Sequence, residues 1–340
     1  MSDMVKLGLV GAGAIARAYG AAIAASNSAE LVAVADVDRA AAEALAAETG
    51  ATAYGSHQDL AACAGCDAVI VTTPPITHAG IVVDLIGQGL PVLCEKPLSV
   101  DFESARKMIR AAEEAGILLS MASKFRFSDD VIAAREMILA GEIGTPLMLE
   151  NVFTGVVDMT SRWNANPAVS GGGVLIDNGT HSADIIRFLL GPIDKVLAMA
   201  APRIQNMAVE DGVVMMVRTE AGAQATAETS WSIHKDRSAF IEIYGTTGAI
   251  EIGWKGSRIR RQHGGAWEPF GRGYDKVASF TRQIDHFAGV LRGEDFELGN
   301  AEDALASVSV IQAAYESMAS GQWTTVGYDE VHQARRKAAG

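Results

Sequence analysis

Cysteine is scarce in this 340-residue chain, which carries three: Cys63, Cys66 and Cys94. So few exclude a disulfide-stapled secreted fold and point to a reducing compartment. Cys63-Ala64-Gly65-Cys66 is a CxxC pair, but one pair supplies only half a zinc site, and the partners that a redox or metal role needs are missing. It is read as the end of a helix. No apolar run reaches membrane-spanning length, and Met1-Ser2-Asp3 leads straight into an apolar segment, so no secretory leader is expected. Positive charge is short as well. The 28 Lys and Arg against 41 Asp and Glu leave a net charge of −13, which argues against nucleic acid and against a membrane surface as partners. A cytoplasmic setting is expected. The length suggests about two domains and is ample for a core.

What is present starts at the N-terminal end. Val5 to Val10 is mostly apolar, Gly11-Ala12-Gly13-Ala14-Ile15-Ala16 follows at once, and a helical pattern runs from Ile15 to about Ala25. A second apolar run, Leu31 to Ala35, ends in Asp36. Strand, glycine turn, helix, strand and acid is the layout of the first βαβ unit of a dinucleotide-binding domain. Gly11 allows the tight turn, and Gly13 lets the backbone approach a pyrophosphate. The N–H groups of the helix start, at Ala14 and Ile15, would hold the phosphates. Asp36 would accept from the ribose hydroxyls and repel a 2′-phosphate, so the expected cofactor is NAD rather than NADP.

Helix and strand go on alternating. Ala40 to Thr49 reads as a helix stopped by Gly50, and Asp67 to Val71 as a strand ended by Thr72-Thr73-Pro74-Pro75. Thr77 to Leu85 is helical with His78 in its first turn, where it would face the cofactor, cap the helix or lie on the surface. Pro91 to Cys94 is a short strand, and Glu95-Lys96-Pro97 sits at its carboxyl edge, where such sheets bind ligands. Val100 to Ala115 and Leu118 to Met121 complete this half. The expected domains are therefore a dinucleotide-binding domain over 1–123 and a second domain over 124–340. In the latter, six strands between Leu147 and Trp254 follow one another with little helix, as in a largely antiparallel sheet. Arg258-Ile259-Arg260-Arg261 reads as a solvated edge strand, and Asp275 to Gly293 and Ala301 to Ser320 as late helices. The tail after Val331 is polar and expected to be loose.

One stretch interrupts this pattern. Gly171-Gly172-Gly173 reads as a flexible lead into a helix running to about Leu190. Asp177 and His181 are four apart and would share one helix face, with Asp184 on a neighbouring line. A carboxylate beside a histidine raises its basicity and fixes its tautomer. That suits the proton transfer that must accompany removal of a hydride from a carbinol carbon. No third ligand lies nearby in sequence, so no metal is expected.

The glycine fingerprint Gly11 to Ala16, the Glu95-Lys96-Pro97 triplet, Trp163, the Gly172-Gly173…Asp177-x-Gly179-x-His181-x-x-Asp184 block and Phe280…His286-Phe287 occur in order. In these the chain resembles the Gfo/Idh/MocA family of oxidoreductases, which includes inositol and glucose–fructose type dehydrogenases. The resemblance implies an α/β fold: an N-terminal Rossmann domain, then an α/β domain with a large, mostly antiparallel open sheet that forms a homodimer or homotetramer. It implies a dehydrogenase of carbohydrate metabolism acting on a small polyhydroxylated substrate, a sugar or a cyclitol. Lys96, Asp177 and His181 fall on the catalytic set, with His181 as acid/base, Lys96 on the reacting oxygen and Asp177 orienting hydroxyls. Thr73, Pro74, Pro75 and His78 match a second cofactor-contacting turn, and Glu95 and Lys96 count among the cofactor contacts. Pro97 is often cis in relatives. Arg126 matches a position near nicotinamide and substrate, and Trp163 joins the substrate side. The loop Val156 to Pro167 and the region Trp254 to Tyr274, with Asn164, Asn166, His263 and Trp267, would shape a polyol pocket. Two other readings remain: a glycoside-cleaving enzyme working through transient oxidation and elimination, and a non-catalytic cofactor-bound sensor.

Overall fold

The computed structural model describes residues 4–63, 65–294 and 301–327; the tail after Val331 and part of the CxxC pair lie outside them. The chain opens with β1 (Val5–Val10), α1 (Ala14–Ala25), β2 (Ala29–Ala35), α2 (Arg39–Thr49), β3 (Thr52–Tyr54), α3 (His57–Cys63), β4 (Ala68–Val71), α4 (Pro75–Gly87), β5 (Val92–Cys94), α5 (Phe102–Ala115) and β6 (Leu119–Met121). It continues with α6 (Asp129–Leu139), β7 (Pro146–Thr154), α7 (Pro167–Ser170), α8 (Thr180–Leu190), β8 (Ile193–Ala200), β9 (Gly212–Thr219), β10 (Gln224–Ser230) and β11 (Ala239–Gly245). The last elements are β12 (Ala249–Gly253), β13 (Ser257–Arg260), β14 (Glu268–Gly271), α9 (Lys276–Leu291), α10 (Ala301–Ser320) and β15 (Thr324–Thr325).

Local chemistry sets the helix ends. Asp38 caps α2 through the amides of Ala40 and Ala41, and Gly50 closes it in the left-handed conformation at φ 78°. Asp101 and Gly116 do the same for α5, and Asp275 caps α9 through the Ala278 amide. Strands β1 and β4 are apolar on both faces and almost wholly buried, as strands in a parallel sheet covered by helices must be.

The first sheet has six parallel strands in the order β3-β2-β1-β4-β5-β6, the Rossmann arrangement. The second has nine, ordered β14-β13-β12-β11-β7-β10-β9-β8-β15. Its β7–β10 pair is parallel and the others are antiparallel. Alternation is clean on β9: Val213, Met215 and Val217 are buried, while Val214 and Met216 are 41% and 40% exposed. One face of the sheet therefore packs inside the second unit, and the other is open and partly apolar. The short strands β3, β14 and β15 have no counterpart in the sequence reading. β13 lies one strand in from the edge, which β14 forms. Its arginines are not merely solvated. The guanidinium carbons of Arg258 and Arg260 sit 4.6 and 4.8 Å from the Trp267 ring centroid.

The chain divides into two compact units, Met1–Phe127 with Asp275–Ala304, and Ser128–Tyr274 with the chain from Leu305 onward. This differs from a division into 1–123 and 124–340, and the difference has a packing cause. Phe280, Ile284, Phe287 and Ala288 form one face of α9 and join the core cluster of Leu9, Tyr19, Ala22 and Ile23. Phe280 meets Tyr19 edge-on at 4.7 Å between centroids. Burying an aromatic of this size contributes about 1.5–3 kcal/mol, enough to hold a helix remote in sequence. Lys124–Phe127, expected to open the second half, is a 3-10 turn of the first unit, with Phe127 against His286 of α9 at 5.1 Å. Among the described residues, no helix is long and apolar enough to cross a membrane.

Candidate active site

In the first unit, four consecutive strand ends line the carboxyl edge of the sheet: Asp36 after β2, Gly11–Gly13 after β1, Thr72–Pro74 after β4 and Glu95–Lys96 after β5. At about 4.8 Å per strand, the row from β2 to β5 spans roughly 14 Å. Gly11 has φ 99°, and a Cβ there would lie 2.9 Å from the Thr72 carbonyl carbon. The Thr72 hydroxyl lies 2.9 Å from the Gly11 carbonyl oxygen. Gly13 caps α1 and is exposed, and a Cβ on it would meet no atom of the chain within 4 Å. The turn is thus closed behind Gly11 and open at Gly13, with no acidic side chain in the first turn of α1. An anionic pyrophosphate fits such an opening. The half-buried Asp36 carboxylate accepts from the Ala12 amide at 2.6 Å and the Asp38 amide at 2.8 Å. Each oxygen retains acceptor capacity for a ribose hydroxyl. These residues fit a dinucleotide.

His78 is not presented to a ligand. It is fully buried in α4, with Nε2 2.8 Å from the Thr73 carbonyl oxygen and Nδ1 3.0 and 3.3 Å from those of Pro97 and Leu98. Burial pushes its pKa below the ordinary histidine value, against the pull of those three carbonyls. The ring therefore links the turn after β4 to the turn after β5. Glu95 is likewise internal. Its Oε1 accepts from the Tyr19 hydroxyl at 2.8 Å and its Oε2 from the Lys96 amide at 3.0 Å, while Gln283 Nε2 donates to the Tyr19 oxygen at 3.0 Å. Burial raises the Glu95 pKa, and the charges of Lys96 and Lys124 lower it. Thr73, Pro74 and Lys96 are half-buried and remain accessible, and the Lys96–Pro97 peptide is cis. Arg126, 3% exposed, donates from Nη1 to Asp303 at 2.6 Å.

The second unit holds Asp177 and His181. Gly171, at φ 80°, ends α7. Gly172 and Gly173 serve close approach and not flexibility: a Cβ on the first would overlap the Tyr315 hydroxyl, and one on the second the Glu210 carbonyl oxygen. Leu175–Gly179 then forms a π turn carrying Asp177, and α8 begins at Thr180. Such turns recur at functional sites, and their wider winding breaks the rule that residues four apart stack on one face. The single α-helical face expected for Asp177 and His181 is replaced by this junction. Thr180 Oγ1 donates to the Ile176 carbonyl at 2.6 Å, the Ser182 hydroxyl donates to Asn151 Oδ1 at 2.5 Å, and Asn151 Nδ2 donates to the Phe240 carbonyl at 2.9 Å. α8 is thereby fastened to the sheet. His181 is 8% exposed, with its ring 6.3 Å from that of Phe153. Asp177 is half-buried and Asp184 buried. Trp163 lies exposed in a 3-10 turn.

A cavity of about 710 Å³ in this unit is lined by Thr154, His234, Lys235, Arg237, Trp254 and Lys255, among others. Trp254, from the Trp254 to Tyr274 region, is among the lining residues, and its ring lies 6.2 Å from that of Phe153 between centroids. Lys235 is paired with Glu228, and Arg237 with Glu150 and Glu242. Among the described residues, no three His, Cys, Asp or Glu side chains gather as a metal site. Sequence reasoning missed Glu210, Tyr315, Tyr19 and Gln283. The acid pair Glu210-Asp211 before β9 was the one visible signal.

The chain is similar to known proteins. Residues 5–123 match the model of an oxidoreductase family with an NAD-binding Rossmann fold, and residues 131–251 match the GFO/IDH/MocA C-terminal domain. Inositol 2-dehydrogenase of Rhizobium meliloti is 33% identical over 260 residues, covering 72% of this chain and 74% of that one. 1,5-anhydro-D-fructose reductase of Ensifer adhaerens is 29% identical over 332 residues, covering 94% and 98%. The crystal structure of an NAD binding oxidoreductase from Klebsiella pneumoniae superposes with a TM-score of 0.87 at 25% identity, covering 96% of this chain and 100% of that one. With a nucleotide cradle in one unit, the Asp177–His181 segment in the other and both family models matched in that order, the chain belongs to the Gfo/Idh/MocA family of oxidoreductases.

Proposed function

We propose that this oxidoreductase uses NAD(H) to move a hydride to or from a CH–OH carbon of a sugar, sugar derivative or cyclitol. The relatives named for inositol and 1,5-anhydro-D-fructose support that substrate class. The observation that carries the reading is the fastening of the Asp177–His181 segment by buried hydrogen bonds around a π turn, a degree of preorganisation suited to proton transfer. Asp36 supports NAD in preference to NADP, since its fixed carboxylate would accept from ribose hydroxyls and repel a 2′-phosphate.

Bound NAD would supply the hydride acceptor. His181 takes the hydroxyl proton as the hydride leaves, and returns it in the reverse direction. Lys96 donates a hydrogen bond to the reacting oxygen, and its charge stabilises the negative charge that develops there. Asp177 accepts from neighbouring hydroxyls and fixes which carbon reacts. Gly13, Ala14, Ile15, Asp36, Thr73 and Pro74 would hold the cofactor. His78 and Glu95 brace the strand ends from inside, and Arg126 is held by Asp303. The first unit binds the cofactor and the second the substrate. The open face of the second sheet, with Met199, Val214 and Met216 exposed, joins copies into a homodimer or homotetramer.

A screen of inositols, aldoses and sugar acids with NAD, followed by NADH absorbance, tests the reading. Reduction of NAD by at least one polyol is expected. Loss of a glycoside with no NADH signal would favour elimination instead, and turnover with NADP alone would contradict the role given to Asp36.

A further inference from the structure

We infer that Glu210 is the positioning residue that holds the Asp177–His181 segment in its working geometry, an inference that rests on the roles proposed above for those two side chains. Glu210 lies two residues before β9, separated from it by Asp211. Its Oε1 accepts from the Gly173 amide at 3.0 Å, the Leu175 amide at 3.1 Å and the Tyr315 hydroxyl at 2.8 Å. Its backbone carbonyl accepts from the Val174 amide at 2.9 Å. Three consecutive amides at the head of the π turn therefore all end on this one residue.

Those amides are the donors that a helix start leaves without partners in its own turn. A side chain just before the helix usually satisfies them. Here the residues before it are glycines, which have no side chain to offer, and the cap comes from 35 to 37 positions further along the chain. A carboxylate is the strongest acceptor for the purpose, through charge-assisted hydrogen bonds and its favourable place at a helix N-terminus.

The same contact explains the glycines. A Cβ on Gly173 would overlap the Glu210 carbonyl oxygen, and one on Gly172 the hydroxyl of Tyr315, which itself donates to Glu210. Gly172-Gly173 is the imprint of the Glu210–Tyr315 pair on the segment it holds. From there the order passes along the chain, because the Gly173 carbonyl accepts the Asp177 amide at 3.1 Å. Moving Gly173 therefore moves Asp177, and with it the turn that delivers His181. Glu210 acts through this backbone and not on substrate.

Glu210→Ala and Glu210→Gln test the inference. Glutamine keeps an oxygen able to accept from both amides and the tyrosine, and alanine keeps none. Amide hydrogen exchange is expected to lose protection at Gly173, Leu175 and Asp177 in the alanine variant and to keep it in the glutamine variant. Turnover of the best donor from the polyol screen, with myo-inositol tried first, should fall about tenfold or more in kcat for alanine. The KM for NAD should stay within about twofold, and glutamine should recover kcat to within about threefold. A merely structural role would give no such split and no rescue. If the alanine variant does not fold, Glu210→Asp replaces it, since it keeps the charge but falls one methylene short. Unchanged exchange and kcat in the alanine variant, or glutamine as impaired as alanine, would overturn the inference. If His181→Asn also turned over normally, the proposed role of His181 would have failed as well, which separates the two outcomes.

Discussion

Asp36 Oδ2 accepts a 2.6 Å hydrogen bond from the Ala12 amide. The acid that ends β2 is thereby fixed to the glycine turn that ends β1. Acceptor capacity is left on both oxygens for the ribose hydroxyls proposed above. Asp36→Ser should lower the preference for NAD over NADP, measured as the ratio of kcat/KM values, by about tenfold or more. Hydrogen bonds to a charged group contribute about 1.5–3 kcal/mol each, and the repulsion of a 2′-phosphate is lost too. An unchanged ratio would remove Asp36 from cofactor choice.

The two glycines of the turn should respond differently. Gly11→Ala places a Cβ 2.9 Å from the Thr72 carbonyl carbon at φ 99°. It should destabilise the fold by about 1–2 kcal/mol or more, since L side chains are disfavoured there. Gly13→Ala meets nothing of the chain within 4 Å. Its melting temperature should match the parent, while NADH affinity, read by fluorescence titration, should fall about tenfold because the Cβ occupies the pyrophosphate's path. Equal destabilisation by both would contradict the open cradle.

His78 and His286 make stability depend on pH. Burial holds both below the ordinary value of 6.5, so between the folded and unfolded values the unfolded chain binds more protons. Their contribution is complete above 6.5 and is lost as pH falls through the folded values, at up to about 1.4 kcal/mol per pH unit for the fully buried His78 and less for the partly exposed His286, whose charge solvent screens. Glu95 works in the opposite sense, since burial raises it and its share of stability is lost as pH rises. Comparing parent with His78→Gln isolates one histidine. Denaturant unfolding between about pH 7 and about pH 5 should show a shallower slope in the variant; equal slopes would place His78 outside the titration.

The nucleotide-binding unit was readable because its signals are local. Glycines sit where φ or a close approach demands them, Asp38 and Asp101 cap the helices they precede, and apolar runs mark strands buried on both faces. The docking of α9 was not readable. Phe280, Ile284 and Phe287 show that one face of the helix is buried, but nothing in their spacing names Tyr19 as the partner. His78 was placed in its helical turn, yet the carbonyls of Thr73 and Pro97 that close around it leave no side-chain pattern to read. Glu210 escaped for the same reason, since its main partners are amides. The triple glycine was visible, but its cause lay far along the chain. No propensity marks the π turn, so Asp177 and His181 were placed on an ordinary helix.

The central claim is that His181 moves the proton that accompanies hydride transfer. The most direct test is turnover and NADH binding of His181→Asn. Turnover should drop by about 10²–10⁴-fold, the usual contribution of acid–base catalysis, while NADH affinity stays within about twofold and the melting temperature is held. Turnover equal to the parent's would contradict the account.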